Sequence, residues 1–160
     1  HHLQTLCGID HVDYKLRRTH AYARLFAVID RLGLGPLAVG QAFRRMAFNV
    51  MARNCDDHSK NFSFRLKQGG EWELAPAYDL THAHNPRGQW TRQHQLSING
   101  RFEGITRADL LIEAERFGVL RAFDVLADVR DALVCWPRFA GDAGLGAAST
   151  AAVGGDLLPL

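Results

Sequence analysis

Two apolar stripes at helical spacing dominate the first third of the chain. Leu25, Phe26, Val28, Ile29 and Leu32 recur on one face across residues 21–32, and Phe43, Met46, Ala47, Val50 and Met51 do the same across 38–53. Apolar residues three and four apart fall on one side of a helix, so both segments predict amphipathic helices facing a core. Gly33-Leu34-Gly35-Pro36 separates them and ends the first. Residues 1–20 are polar with isolated apolar positions, of which Leu3, Leu6 and Cys7 predict a short helix.

The period changes after residue 61. Phe62, Phe64 and Leu66 alternate with polar residues, Gln68-Gly69-Gly70 is a turn signal, and Trp72 and Leu74 alternate with Glu71 and Glu73. This predicts a β-hairpin over about 62–75, ended by Ala75-Pro76-Ala77 because proline cannot donate to a ladder. Residues 81–95, rich in His, Gln and Arg, read as a polar loop, and Leu96-Ser97-Ile98-Asn99-Gly100 as a short strand with a turn. Thr106 and Asp109 have the spacing of a reciprocal helix cap. Leu110, Leu111, Ala114 and Phe117 line that helix, Gly118 closes it, and a further helix covers about 121–135 before Pro137. The fold class expected is α+β, mostly helical, with a small inserted hairpin. Residues 1–140 form the expected domain. Residues 141–160, with five Gly and five Ala, read as a loosely held tail.

Composition adds bounds. The 160 residues fit one domain, and a hydrophobic fraction of 47% supports a core. A formal net charge of +2 demands neither nucleic acid nor a membrane as partner, and no apolar run approaches a membrane span. Cys7, Cys55 and Cys135 are odd in number and scattered. They show no zinc-type spacing and fit reduced thiols in a cytoplasmic protein.

The chemistry concentrates in Asn54-Cys55-Asp56-Asp57-His58-Ser59-Lys60-Asn61. This segment lies between an apolar helix and a strand, a loop held at both ends by the core, and such loops position functional groups well. Asp56 and Asn61 are five apart. Phosphoryl transfer by kinases uses an aspartate beside the acceptor hydroxyl and an asparagine on magnesium, and D-x-x-x-x-N supplies both. The amide oxygen of Asn61 is a hard ligand. Asp79 sits where the hairpin ends, so the chain's return places it beside Asn61 as a second ligand. Local capping or turn roles for Asp56, Asp57 and Asp79 are the plainer alternative.

The motifs N-C-D-D-H-S-K-N-F-S-F at 54–64, L-A-P-A-Y-D-L at 74–80, L-S-I-N-G at 96–100 and I-T-R-A-D-L-L at 105–111, followed by R-F-G at 116–118, resemble the HipA family of bacterial serine/threonine kinases. The resemblance covers about residues 3–135. It implies a protein-kinase-like C-terminal lobe whose hairpin carries the catalytic and metal loops. By the same resemblance Asp56 is the catalytic aspartate, Asn61 and Asp79 hold magnesium and so contact ATP, and His58 braces the loop. Lys60 is placed to touch a phosphate or to stay solvated. Asp57 receives no catalytic role. The resemblance further implies ATP and Mg2+ as cofactors and a DNA-binding antitoxin partner. It also implies a protein substrate, an aminoacyl-tRNA synthetase in the best-known members.

A kinase also needs a glycine-rich loop and a strand lysine ahead of the catalytic loop. Gly33, Gly35 and Gly40 have the wrong spacing, Lys15 is the only lysine in residues 1–50, and no convincing strand run precedes the catalytic loop. The expectation is a C-terminal lobe that works when an N-terminal lobe completes it and has little activity alone. Two alternatives stand beside this: a catalytically silent, kinase-derived binding module, and a metal-dependent hydrolase built from Asp56, Asp57, His58, His82 and His84.

Overall fold

Helix α3 is the axis of the molecule, and the other elements are best described by how they meet it. The computed structural model describes residues 2–160. Strand β1 (His2–Thr5) leads into a four-residue helix α1 (Leu6–Ile9), and a two-residue strand β2 (His20–Ala21) leads into α2 (Tyr22–Arg31). Then follow α3 (Gly35–Met51), β3 (Ser63–Leu66), β4 (Trp72–Leu74) and β5 (Leu96–Ser97). Four helices complete the chain: α4 (Arg107–Arg116), α5 (Ala122–Val134), α6 (Trp136–Asp142) and α7 (Ala147–Asp156). The architecture is mixed α/β.

The two apolar stripes are the core. Leu25, Val28 and Ile29 of α2 and Phe43, Met46, Ala47 and Met51 of α3 have no exposed surface. Each such side chain contributes roughly 1.5–3 kcal/mol by leaving water. Phe26 of α2 stacks on Phe117 beyond the end of α4, with ring centroids 4.5 Å apart. Gly33, with φ +63°, makes the left-handed bend between α2 and α3 that a side chain would strain.

β3 and β4 pair antiparallel with Phe64 opposite Leu74, and β1 pairs antiparallel on the other edge of β3 with Gln4 opposite Phe64. The first fifty residues therefore do contain strands, contrary to the expectation from sequence. Leu3 lies in β1 and not in a helix, and α1 begins only at Leu6, where the Thr5 hydroxyl accepts from the Gly8 N–H. A second strand in this stretch, β2, pairs in parallel with β5. These strands are legible only through partners that lie far along the chain, and local periodicity carries no trace of them.

The segment 141–160 also departs from the expected loose tail. It forms α7, whose small residues allow close approach: a Cβ on Gly154 would lie 3.3 Å from the Trp136 ring. Trp136 Nε1 donates to the Thr150 carbonyl (2.9 Å), and Leu158 N donates to the Met51 carbonyl at the end of α3 (2.8 Å). Leu160 packs against the core. No helix among the described residues is long and apolar enough to cross a membrane.

The cap expected at Thr106 is complete. Its hydroxyl accepts from Asp109 N (3.3 Å) and the Asp109 carboxylate accepts from Thr106 N (2.9 Å). Thr106→Ala is expected to lower stability by about 1 kcal/mol, read as a lower urea midpoint with an unchanged denaturant slope.

Candidate active site

The site starts where α3 ends. Arg53 takes a left-handed backbone conformation (φ +57°), and Asn54 N donates to the Asn49 carbonyl (2.8 Å), so the chain turns sharply out of the helix. Asn54 is buried, and its side chain donates both to Asn49 Oδ1 (3.0 Å) and to the Asp79 carbonyl (3.2 Å). One buried amide thus ties the end of α3 to the segment after the hairpin. Cys55 N donates to the Ala83 carbonyl and Ala83 N to the Arg53 carbonyl, both at 3.1 Å, fixing the same two segments through backbone.

Asp57 anchors the loop. It is 0% exposed and accepts from Tyr22 Oη (2.8 Å), His94 Nδ1 (2.9 Å) and the Gln95 N–H (2.7 Å). Asn49 Nδ2 in turn donates to Tyr22 Oη (2.9 Å). Burial opposes a charge on His94, but the Asp57 charge and hydrogen bond outweigh it and raise the His94 pKa to about 10. Both the charge and the hydrogen bond of Asp57 thus favour the protonated imidazole. Burial, followed by the Asp57 charge, likewise pushes the Tyr22 phenol well above its ordinary value.

Asp56, one residue earlier, points the other way and is half-buried. Burial raises its pKa. His58, with Nε2 3.8 Å from Asp56 Oδ1, lowers it, while the charges of Asp79 and Asp57 raise it further. Asn61 closes the loop: Ser59–Asn61 form one 3-10 turn, and Asn61 Nδ2 donates to the Asp56 carbonyl (2.9 Å). Its amide nitrogen is thereby used inside the loop, leaving the oxygen as the end that can meet a ligand.

Asp79 is exposed, in a left-handed backbone conformation (φ +53°). Its neighbour Tyr78 donates its hydroxyl to the Lys60 carbonyl and hydrogen-bonds the Ser63 hydroxyl. The segment bearing Asp79 is thus held against the residues that flank Asn61. The Asp79 charge is near enough to act on Asp56, and carboxylate and amide oxygens of this kind are the donors that a hard cation such as magnesium takes. The Lys60 ammonium lies 4.1 Å above the Tyr14 ring, and the His58 ring centroid is 5.9 Å from that of Tyr14.

His82 and His84 do not join this group. His82 Nε2 and His84 Nδ1 both meet Asp156 Oδ2, at 2.9 and 2.7 Å, and Arg53 lies against His84 and Asp156. A guanidinium at that position repels a cation. Among the described residues no cluster of three or more His, Cys, Asp or Glu is arranged to hold a metal. The hydrolase alternative loses its two histidines to the C-terminal helix.

Sequence reasoning missed the residues beneath the loop. Asp57 has a structural part, not a vacant one, and residues 81–95 end in the interior, with Gln93 3% and His94 4% exposed. Polar Asn49 on the apolar face of α3, and His94 directly ahead of a short apolar strand, were the available signals.

The fold is that of a mixed α/β domain with a charged loop mounted on its central helix, and the comparisons specify it further. The model of the HipA-like C-terminal domain family matches residues 1–136, so the chain belongs to that family. Among solved structures, the Shewanella oneidensis MR-1 toxin–antitoxin complex of HipA, HipB and operator DNA matches with a TM-score of 0.63 and 19% identity. That match covers 99% of this chain and 38% of the other. At that identity the likeness is one of fold. No curated protein matches the chain.

His94→Ala is expected to cost about 3–5 kcal/mol, because it removes the cationic partner of the buried Asp57. The double variant Asp57→Asn/His94→Gln is expected to recover part of that loss. The wild-type pair also makes stability pH-dependent. The folded pKa of His94, about 10, lies above its ordinary 6.5. Its contribution is therefore complete below that ordinary value and disappears as pH rises through about 10. Urea unfolding at a series of pH values from 6 to 10 is expected to show a falling midpoint in the wild type and a flatter profile in the double variant.

Proposed function

We propose that this chain is the catalytic and metal-binding lobe of a HipA-like serine/threonine protein kinase, acting on a protein hydroxyl when an N-terminal lobe completes the nucleotide site. The observation that carries the reading is the opposite facing of two adjacent carboxylates. Asp57 is saturated and buried, while Asp56 is presented half-exposed beside Asn61 and Asp79. A turn-capping role requires one such carboxylate and leaves the second without a purpose.

In this reading Asp56 accepts the proton of the serine or threonine hydroxyl. The hydroxyl oxygen forms a bond to the γ-phosphorus, the bond from that phosphorus to the β–γ bridging oxygen breaks, and ADP leaves. The raised pKa of Asp56 moves the base toward the working pH. Asn61 and Asp79 would hold magnesium, whose charge offsets that on the phosphoryl oxygens. His58 leans on Asp56 and Tyr14 as a brace, and Lys60 stands beside them as a cation. A DNA-binding antitoxin is the proposed partner and the cytoplasm the proposed location. The chain spans 38% of the matched HipA structure's chain.

Supplied with a polypeptide carrying the glycine-rich loop and strand lysine, the chain is expected to transfer labelled phosphate from ATP to a protein acceptor. Asp56→Asn is expected to slow transfer by about 10²–10⁴-fold while leaving the circular dichroism spectrum unchanged. Equal rates for wild type and variant, or robust turnover by the isolated chain, would sink the assignment.

A further inference from the structure

Asp56 and His58 form one end of an open cleft of about 340 Å³, lined otherwise by Tyr14, Lys15, Trp90 and Gln95. None of those last four belongs to the catalytic loop, and two segments far apart in sequence supply them. The Trp90–Gln95 side of the cleft is tied to the loop. Gln95 donates its side-chain amide to the Trp90 carbonyl, while its own N–H is held by the buried Asp57. The same carboxylate that fixes the catalytic loop therefore also fixes the Trp90 segment opposite Asp56.

The rim is cationic. Lys15 lines the cleft, the Lys60 ammonium lies over Tyr14 at 4.1 Å, and the Arg17 guanidinium lies over Trp90 at 5.1 Å and donates to the Gln89 carbonyl. Lys60 and Arg17 meet rings and a carbonyl, and no salt bridge to Lys15, Arg17 or Lys60 is found among the described residues, so their charges are left for a ligand. Asp13 Oδ1 accepts from the Lys15 backbone N–H (2.9 Å), and its carboxylate remains the one opposing charge on that side. Each ring already carries a cation on one face. That arrangement suits a carboxylate meeting the cations at the ring edge and obstructs a base stacked on the ring. The Asp56 carboxylate at one end of the cleft can accept from a hydroxyl.

We propose that this cleft is the acceptor subsite and that it selects protein segments in which a serine or threonine has acidic side chains close by. The hydroxyl reaches Asp56, and the flanking carboxylates meet Lys15, Arg17 and Lys60. This rests on the reading of Asp56 as the base, but binding tests it without any turnover.

The probes are fluorescein-labelled peptides with a central serine flanked by glutamates or by lysines, titrated with the 160-residue chain at low salt and read by anisotropy. The glutamate peptide is expected to bind about tenfold or more tightly than the lysine peptide. Lys15→Glu is expected to weaken it about tenfold and Trp90→Ala several-fold. Both side chains are exposed, so neither change threatens folding. Arg138→Glu, an equal charge change on α6, is expected to leave affinity within about twofold.

Equal binding of the two peptides, or an equal loss from Arg138→Glu and Lys15→Glu, overturns the proposal. So does displacement of the peptide by oligothymidylate, which would mark a nucleic-acid surface, or by ATP, which would mark the nucleotide side. Unchanged phosphate transfer in Asp56→Asn would instead remove the catalytic reading and leave the peptide selectivity standing.

Discussion

The buried contact between Asp57 and His94 holds together everything that gives this molecule a site. A carboxylate and an imidazolium out of water are costly, and their mutual attraction offsets that cost only because every remaining polar valence is filled. Tyr22, from the first turn of α2, fills one, and the Gln95 N–H fills another. Asn49, on the apolar face of α3, holds Tyr22 in turn. Two separate stretches of chain, α2 and residues 94–95, thus converge on one carboxylate, and α3 backs the first of them. Their convergence fixes the direction in which the next carboxylate, Asp56, must point.

A second set of ties brings the segments bearing Asn61 and Asp79 together. Asn54 reaches from the end of α3 to the Asp79 backbone, and Tyr78 reaches back to Lys60 and Ser63. The hairpin β3–β4 acts as a spacer, returning the chain so that Asp79 stands across from the loop it left. Beyond it, residues 81–84 are pinned by backbone bonds to Arg53 and Cys55 and by Asp156 to the end of α7. The C-terminal segment therefore supports the residue 54–61 loop through His82 and His84.

Much of this was legible from residues alone. The stripes of α2 and α3, the turn at Gln68-Gly69-Gly70, the capping box at Thr106 and the D-x-x-x-x-N spacing are all local patterns, and each has its physical cause within a few residues. β1, β2 and the docking of α7 were not legible. β1 has its ladder partner some sixty residues away, β2 pairs with β5, and α7 presents small residues with no amphipathic signature. The role of Asp57 was hidden for the same reason, since its three partners come from residues 22, 94 and 95.

By itself, then, the sequence determined which side chains are available for chemistry and which helices carry the core, because hydrophobic period and cap spacing are properties of neighbouring residues. Only the tertiary structure decided which of two adjacent aspartates faces outward. It also decided that His94 is a buried cation, and that Tyr14 and Trp90 face Asp56 across one cleft. Those outcomes depend on burial and on charge partners brought from distant segments, and no local pattern encodes either.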